Sequence, residues 1–126
     1  MDYNTFMDTI TRRAPVPPEK AEPLTRATLE TLAERLTRGE AADLASELPE
    51  QLKERMVSPT PEAESFGLDE FIDRVSRRAN VSPDEAREGV RAELSTLRDA
   101  VSEGEFRQVM SQLPRDFEAL VGAPRQ

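Results

Sequence analysis

The sequence predicts an all-α fold, made of two tandem pseudo-symmetric repeats of three to four helices packed into one bundle. Three observations lead to this prediction. Apolar residues recur at helical spacing, no segment alternates convincingly between apolar and polar residues, and the chain matches itself without a gap at an offset of 65 residues. With 126 residues, the chain has the length of one domain or of two very small ones.

The internal match covers most of both halves. FMDTITRRAPVPPEKA in the first half aligns with FIDRVSRRANVSPDEA in the second, and ASELPEQLKERMV aligns with MSQLPRDFEALVG. Roughly a third of the aligned positions are identical, which is typical of a duplicated structural unit. We therefore expect a first repeat over residues 1–57, a linker over 58–67 that contains two prolines and a glycine, and a second repeat over 68–122.

Each repeat is predicted to begin with a short helix followed by a long one. Phe6, Met7 and Ile10 share one face of the first helix, which ends at a proline-containing turn. In the second repeat, Ser82 before Pro83 forms a typical N-cap and first-turn pair for the long helix. The long helices carry apolar residues three and four positions apart, namely Leu29, Leu32 and Leu36, and Leu94, Leu97 and Val101.

Helix-breaking residues set the expected limits of these elements. Pro23 removes a backbone donor, so we expect a kink or a later helix start in the first repeat. Gly39 and Gly104 are expected to end the long helices as C′ residues, and a short third helix follows each of them. Half of this chain has few aromatic residues and is marginal alone, so we expect the halves to pack on each other, with homodimerisation as the alternative.

The composition excludes several classes of chemistry. The absence of Cys and His rules out disulfides, thiolate nucleophiles, Cys- or His-based zinc sites and imidazole acid–base catalysis. Fifteen Arg, two Lys and a net charge of −8 are typical of halophilic organisms, and a high-GC genome would also favour Arg over Lys. We expect a cytoplasmic protein without a signal peptide or membrane span.

Three stretches resemble the domain-of-unknown-function 2267 family, small prokaryotic helical proteins with the same tandem features. They are DYNTFMDTITRRA, LETLAERLTRGEAADLASELPEQL and its counterpart LSTLRDAVSEGEFRQVMSQLPRDF, and the resemblance spans about residues 3–121. The departures are Pro23 inside an expected helix and Gly89 where the first half has Leu24. The resemblance implies the fold, but no activity is established for the family, so it carries over no catalytic residues.

Some charged residues recur at equivalent positions beside the apolar stripes of the first two helices of each repeat. These are Asp8 and Arg26 in the first repeat and Asp73 and Arg91 in the second. We expect a structural ion pair between the two helices in each half, because the forked guanidinium suits a partly buried carboxylate. An anion pocket built on the arginine is the functional alternative.

Arginines also cluster at the C-terminal ends of the first helices, namely Arg12 and Arg13, and Arg74, Arg77 and Arg78. The favoured interpretation is that they complement the helix dipole and nearby carboxylates, and the alternative is a contact with an anion or a partner. Residues 1–63 carry 8 basic and 12 acidic groups and residues 64–126 carry 9 and 13, so each half has a net charge of −4. This charge argues against a nucleic-acid surface.

The acidic residues are interpreted as a solvated face. The alternative is recruitment of Mg²⁺ or Ca²⁺ by carboxylate clusters such as Glu30 and Glu34, Asp69, Glu70 and Asp73, or Asp84, Glu85 and Glu88. None of these clusters has an EF-hand loop or a glycine-rich phosphate loop, so we predict no metal site, no cofactor and no catalytic residue. Glu40 and Glu105 are expected to favour the start of the following helix through its dipole.

Together these observations predict a non-catalytic, cytoplasmic helical module that binds an unknown protein partner or a second copy of itself. The first alternative is a small-ligand or carboxylate-dependent enzyme site at the junction of the repeats. The second is an Arg-mediated nucleic-acid or ribosome-associated factor. An enzyme site is expected to break the internal symmetry with perturbed pKa values in one pocket, whereas an interaction module is expected to expose a shallow apolar patch.

Overall fold

A computed structural model describes residues 1–58 and 60–122. All regular elements in this part of the chain are helices, so the predicted all-α class is confirmed. The α-helices are α1 (Tyr3–Arg13), α2 (Ala21–Arg35), α3 (Arg38–Ser46), α4 (Glu50–Lys53), α5 (Leu68–Ala79), α6 (Pro83–Ala100), α7 (Glu103–Ser111) and α8 (Asp116–Val121). Two short 3₁₀ helices, Pro18–Lys20 and Glu54–Met56, precede α2 and follow α4. None of these helices combines the length and the apolar character that a bilayer crossing requires.

The first helices and the start of α6 form as the sequence predicts. Phe6 in α1 and Phe71 in α5 have no exposed surface. Asn80, in the left-handed conformation at φ 55°, ends α5. The Ser82 side chain then accepts a hydrogen bond from the backbone N–H of Glu85, while the Glu85 side chain accepts one from the backbone N–H of Ser82, both at 3.1 Å. This capping box fixes the start of α6.

Pro23 is accommodated in the first turn of α2. It is the third residue of a helix that begins at Ala21, and a backbone N–H at that position has no intrahelical acceptor. Residues Pro18–Lys20 form a 3₁₀ helix, whereas Pro83, the counterpart of Pro18 at the 65-residue offset, is already inside α6. The later helix start predicted for the first repeat is therefore confirmed.

Gly39 and Gly104 do not end the long helices, and this prediction was wrong. They are the second residues of α3 and α7, whose N-caps are Thr37 and Ser102. Each N-cap oxygen accepts a hydrogen bond at 3.2 Å from the backbone N–H of the glutamate three residues later. A Ser or Thr followed at this spacing by Glu signals a helix start, and here it outweighs the tendency of glycine to end a helix.

The segment predicted as the linker, 58–67, forms no regular element in its described residues. It is nonetheless fixed to the C-terminal end of α2. The backbone N–H of Glu64 donates to the carbonyl of Glu34 at 2.9 Å, and Arg35 Nε donates to the carbonyl of Phe66 at 2.8 Å. The Glu64 bond satisfies the carbonyl of Glu34, one of the last carbonyls of α2, which lack intrahelical donors. The Arg35 bond fixes the end of the segment to the same helix.

Helices from the two halves pack directly on one another. α2 contacts α6 and α5, α1 contacts α6, and α3 contacts α7. The buried apolar residues form one cluster drawn from both halves. Within the second half, the rings of Phe71 and Phe117 make an edge-to-face contact with centroids 5.2 Å apart. The first helix of each half thus lies against the second helix of the other half.

Leu24 and Gly89 explain how α2 and α6 come so close. They are counterparts at the 65-residue offset, and a Cβ placed on Gly89 would lie 2.6 Å from Leu24 Cδ2. Leu24 has no exposed surface, so its side chain has little room to move. The glycine in α6 is therefore required by the leucine that faces it.

We expect Gly89→Ala to lower the free energy of unfolding by about 1–2 kcal/mol, because overpacking against Leu24 exceeds the helix-propensity gain of about 1 kcal/mol. Leu24→Ala alone is expected to cost about 3 kcal/mol. In that background the second change, Gly89→Ala, should become stabilising, because the cavity accepts the added methyl group. A double-mutant cycle from urea denaturation measures this reversal of sign.

The control for this cycle is Gly39→Ala, since a methyl group there meets nothing within 4 Å. An equal effect of Gly89→Ala in the wild-type and Leu24→Ala backgrounds would show that Leu24 does not dictate the glycine.

Candidate functional site

In the first half, Arg26 has a different partner from the one predicted. Its guanidinium bonds to Glu22, one turn earlier in α2, at 3.0 Å, and the expected pair with Asp8 is not among the ion pairs of the described residues. A carboxylate four residues away on the same helix reaches the arginine without any tertiary constraint. The Asp8–Arg26 prediction is therefore corrected to a local pair on the surface of α2.

The second half departs from the prediction in the same way. Asp73 pairs with Arg77 at 3.0 Å, and Arg91 pairs with Glu88 at 2.8 Å. Arg91 also donates to the backbone carbonyl of Arg13 at 3.1 Å, at the C-terminal end of α1. The expected Asp73–Arg91 pair is thus replaced by two local pairs and one bond across the halves.

Ion pairs do join the halves, through residues that the sequence analysis assigned to the arginine clusters. Arg13 pairs with Asp99 at 2.6 Å, and both Arg78 side-chain amino groups donate to Glu34 at 2.8 Å. The two pairs are equivalent at the 65-residue offset. Burial raises the pKa of Glu34, but the hydrogen bonds and charges of Arg78 and Arg74 outweigh it and hold that pKa below its ordinary value.

The other clustered arginines are also engaged. Arg74 bonds to carboxylates of Glu70, Glu64 and Glu34 at 2.9–3.2 Å, and its guanidinium lies 3.8 Å from the centroid of the Phe66 ring. The Glu70 hydrogen bond is the main cause of a raised Arg74 pKa. These partners occupy most of the guanidinium, so an anion would have to displace them.

A shallow depression of about 280 Å³ brings together Arg74, Arg77 and Arg78, with Glu70 in its lining. The structure therefore groups the three arginines of α5, as their spacing predicts. Arg12 is elsewhere, donating to Thr9 on its own helix at 3.3 Å. Carboxylates neutralise the depression, which matches the favoured interpretation of these clusters.

We expect Arg78→Met to lower the free energy of unfolding by about 1 kcal/mol at pH 7, because it breaks a two-pronged pair that joins the halves. Because the pKa of Glu34 is lower in the folded state than in the unfolded state, folding stabilises the ionised form of this carboxyl. The stability that this pair contributes is therefore fully present above pH 4.5, and it is lost as the pH falls through the lowered pKa of the folded state. The difference between wild type and variant should therefore shrink near pH 3. Thermal unfolding as a function of pH measures it.

The control is Arg107→Met, which breaks an exposed pair on a single helix and should change stability by less than about 0.5 kcal/mol. Equal losses in the two variants would mean that the Arg78–Glu34 pair adds nothing beyond a surface pair.

Glu93 of α6 is a carboxylic acid buried in the core. It has no exposed surface, accepts a hydrogen bond from Thr25 of α2 at 2.9 Å, and meets no donor at its second oxygen in the described residues. Burial raises its pKa to about 8, although the Thr25 hydrogen bond acts in the opposite direction. Glu93 is therefore protonated at neutral pH, which lowers the cost of its burial.

This acid makes stability depend on pH. Between the unfolded pKa of 4.5 and the folded value of about 8, the folded state holds a proton that the unfolded state has released. Stability should therefore fall as the pH rises, by up to about 1.4 kcal/mol per pH unit from this group. We expect Glu93→Gln to match wild type at pH 5 and to be more stable at pH 9, as measured by urea denaturation. Parallel profiles for the two proteins would contradict a protonated Glu93.

The contact between α3 and α7 brings three carboxylates together. One oxygen from each of Glu40, Asp43 and Glu105 lies within 4.8 Å of the others, and we call these residues the carboxylate centre. Glu40 is only 7% exposed, whereas Asp43 is exposed and connects the centre to solvent. Glu40 Oε2 and Glu105 Oε2 are buried and accept no hydrogen bond from the described residues.

Reciprocal caps hold the two helices in place around this centre. Glu47 accepts hydrogen bonds from the backbone N–H of Ser102 at 2.7 Å and from its hydroxyl at 3.1 Å. Gln112, the counterpart of Glu47, accepts one from the backbone N–H of Thr37 at 3.0 Å. The N-cap residue of each helix thus donates a hydrogen bond to the C-cap residue of the other helix. These bonds fix the register of α3 against α7.

The electrostatics of the centre are unbalanced. Desolvation is the largest cause that raises the pKa of Glu105 to about 8, followed by the adjacent carboxylates of Glu40, Asp43 and Glu47. No arginine or lysine pairs with Glu40, Asp43 or Glu105 in the described ion pairs. The centre therefore favours a proton or a cation among its oxygens.

From the sequence, Glu40 and Glu105 are expected only to favour the start of a helix through its dipole, and the carboxylate centre is not predicted. They do occupy the first turns of α3 and α7, as expected. A signal was present in the sequence, because both are glutamates at positions that correspond at the 65-residue offset.

A groove of about 700 Å³ lies beside α7, between the C-terminal part of α6 and α8. Its apolar lining includes Val101, Phe106, Met110 and Val121. Phe106 and Met110 are only partly buried, although both pack against the core. Their counterparts in the first half are the small residues Ala41 and Ala45.

A family model described as "Uncharacterized conserved protein (DUF2267)" matches residues 3–120, nearly the whole chain. The search of curated proteins finds no match.

Proposed function

This chain belongs to the DUF2267 family of uncharacterized conserved proteins. We propose that it is a non-catalytic helical interaction module that binds a second copy of itself. The observation that carries the proposal is the groove beside α7. It places the partly exposed Phe106 and Met110 where the first half has alanines. Apolar side chains that remain partly exposed along a groove are typical of a contact surface.

The rim of the groove indicates which partner fits. It carries two arginines, Arg98 and Arg107, and three carboxylates, Asp99, Glu103 and Glu118. In a twofold dimer the same patch is present on both copies, so a patch with both charge signs can place opposite charges against each other across the axis. Within one copy Arg107 pairs with Glu103 and Asp99 with Arg13, so dimerisation would extend or exchange these pairs. A second copy also brings a net charge of −8, and screening of that repulsion should strengthen association as salt increases.

We further propose that the two halves are copies of one helical unit related by an approximate twofold axis. The bounds of α3 and α7 agree at the 65-residue offset, as do the starts of α1 and α5. The Arg13–Asp99 and Arg78–Glu34 pairs, and the caps from Glu47 and Gln112, also recur at this offset and support the proposal. Under this arrangement the interaction module is a single two-repeat bundle.

Self-association is tested with Phe106→Ala combined with Met110→Ala, which gives the groove the residues of the first half. We expect wild type to form dimers at micromolar to millimolar concentration in molar KCl, and the double variant to weaken dimerisation by about tenfold or more. Sedimentation equilibrium over a range of protein and salt concentrations measures it.

The control is Val57→Ala, because Val57 is 71% exposed and lies outside the groove lining. A wild-type protein that stays monomeric up to millimolar concentration at every salt would overturn the proposal. Equal weakening by Val57→Ala would place the contact elsewhere.

A second candidate function is a small-ligand site at the junction of the halves, and the carboxylate centre favours it. The centre breaks the internal correspondence, since Asp43 has Gln108 as its counterpart, and it contains a strongly raised pKa. For the nucleic-acid alternative we find no support, since carboxylates engage Arg13, Arg74, Arg77 and Arg78. The cytoplasmic location and the salt-adapted host remain predictions.

A further inference from the structure

We propose that the carboxylate centre formed by Glu40, Asp43 and Glu105 is a binding site for a divalent cation of the Mg²⁺, Ca²⁺ or Mn²⁺ class. This site is independent of self-association through the groove.

The three carboxylates are close enough to bind one ion. One carboxylate oxygen from each residue lies within 4.8 Å of the other two. Calcium binds oxygen at about 2.3–2.6 Å, so oxygens on opposite sides of one ion lie up to about 5 Å apart. A single cation among the three oxygens can therefore contact all of them with small side-chain adjustments.

Glu40 has a buried carboxylate oxygen. This residue is 93% buried, as its 7% exposure shows, and its Oε2 accepts no hydrogen bond from the described residues. Glu105 Oε2 is likewise buried and accepts no hydrogen bond from the described residues. Buried carboxylate oxygens need a partner, and here it is either a proton held between Glu105 and Glu40 or a cation bound by both carboxylates.

The centre concentrates negative charge. The centre holds three carboxylates, and Glu47 also acts on Glu105. A divalent cation bound among the three carboxylates offsets the repulsion between them. The neighbouring positive groups are the N-terminal ends of α3 and α7, and their partial charges do not balance three carboxylates.

The ligand chemistry indicates which class of ion fits. All ligand atoms are carboxylate oxygens, and the chain has neither His nor Cys. Hard cations prefer oxygen ligands, whereas zinc and copper favour nitrogen and sulfur. Asp43 is exposed, so the ion can enter from solvent and complete its coordination with water.

The test is isothermal titration of metal-free protein with Mn²⁺, Ca²⁺ and Mg²⁺ at pH 8.5, with thermal unfolding in parallel. We expect one site per chain for at least one of these ions, together with a raised melting temperature. Asp43→Asn should weaken binding by about tenfold or more, and Glu40→Gln and Glu105→Gln should abolish it.

Control variants keep each outcome decisive. Glu103→Gln removes a 90% exposed carboxylate from the same helix and should bind like wild type. Asp43→Asn carries little risk to folding, because Asp43 is exposed and its counterpart is an amide, Gln108. In metal-free protein at pH 8.5, Glu105→Gln should melt above wild type because repulsion is removed, which separates a lost site from a lost fold.

Two results would overturn the proposal. The absence of both heat and a melting shift with all three cations at pH 8.5 would mean that the carboxylates share only a proton. Binding that persists unchanged in Glu40→Gln and Glu105→Gln would place the ion elsewhere on the acidic surface. Neither result would bear on dimerisation through the groove.

Discussion

The direct packing of α2 on α6 is the constraint on which the other features depend. Leu24 of α2 occupies the space that Gly89 leaves in α6, so the backbones approach more closely than two leucines would permit. Around this contact, α5 lies on α2 and α1 on α6, and each carries an arginine to a carboxylate of the other half. Because a unit of this size with few aromatic residues is marginal alone, burial of apolar surface between the halves contributes to the stability of both.

The same contact determines where acidic groups become buried. Glu93 lies against Thr25 of α2 and is retained as a neutral acid. Its counterpart in the first half is Thr28, a buried residue whose hydroxyl has no hydrogen-bond partner in the described residues. The centre of the molecule thus keeps polar atoms where apolar residues would be more stabilising, and it makes stability sensitive to pH.

The sequence was sufficient for the helices and insufficient for their pairing. Apolar spacing located α1, α2, α5 and α6, and the Ser82 cap was visible because capping depends on neighbours in the chain. Gly39 and Gly104 were misassigned because glycine tendencies were weighed above the Thr or Ser cap two residues earlier. Local rules conflicted there, and the hydrogen bond to the cap decided the outcome.

The charged residues show a different limit. Asp8 and Arg26 were paired on the expectation that adjacent helices of one repeat pack together, whereas α1 also lies on α6. The bonds between halves, such as Arg13 with Asp99, join residues far apart in the chain, and no local pattern encodes them. Glu40 and Glu105 illustrate the same point, since their proximity depends on how α3 meets α7.

The two halves differ at residues that belong to both proposed sites. Positions shared by both halves, such as the N-caps and the pairs between halves, are explained by folding alone. The unequal positions are different, because Asp43 opposes Gln108 at the carboxylate centre and Phe106 and Met110 oppose alanines at the groove. α3 forms with alanines at the positions that Phe106 and Met110 occupy in α7, so the larger side chains are not required for the helix itself. Both proposed sites therefore include residues that the other half lacks.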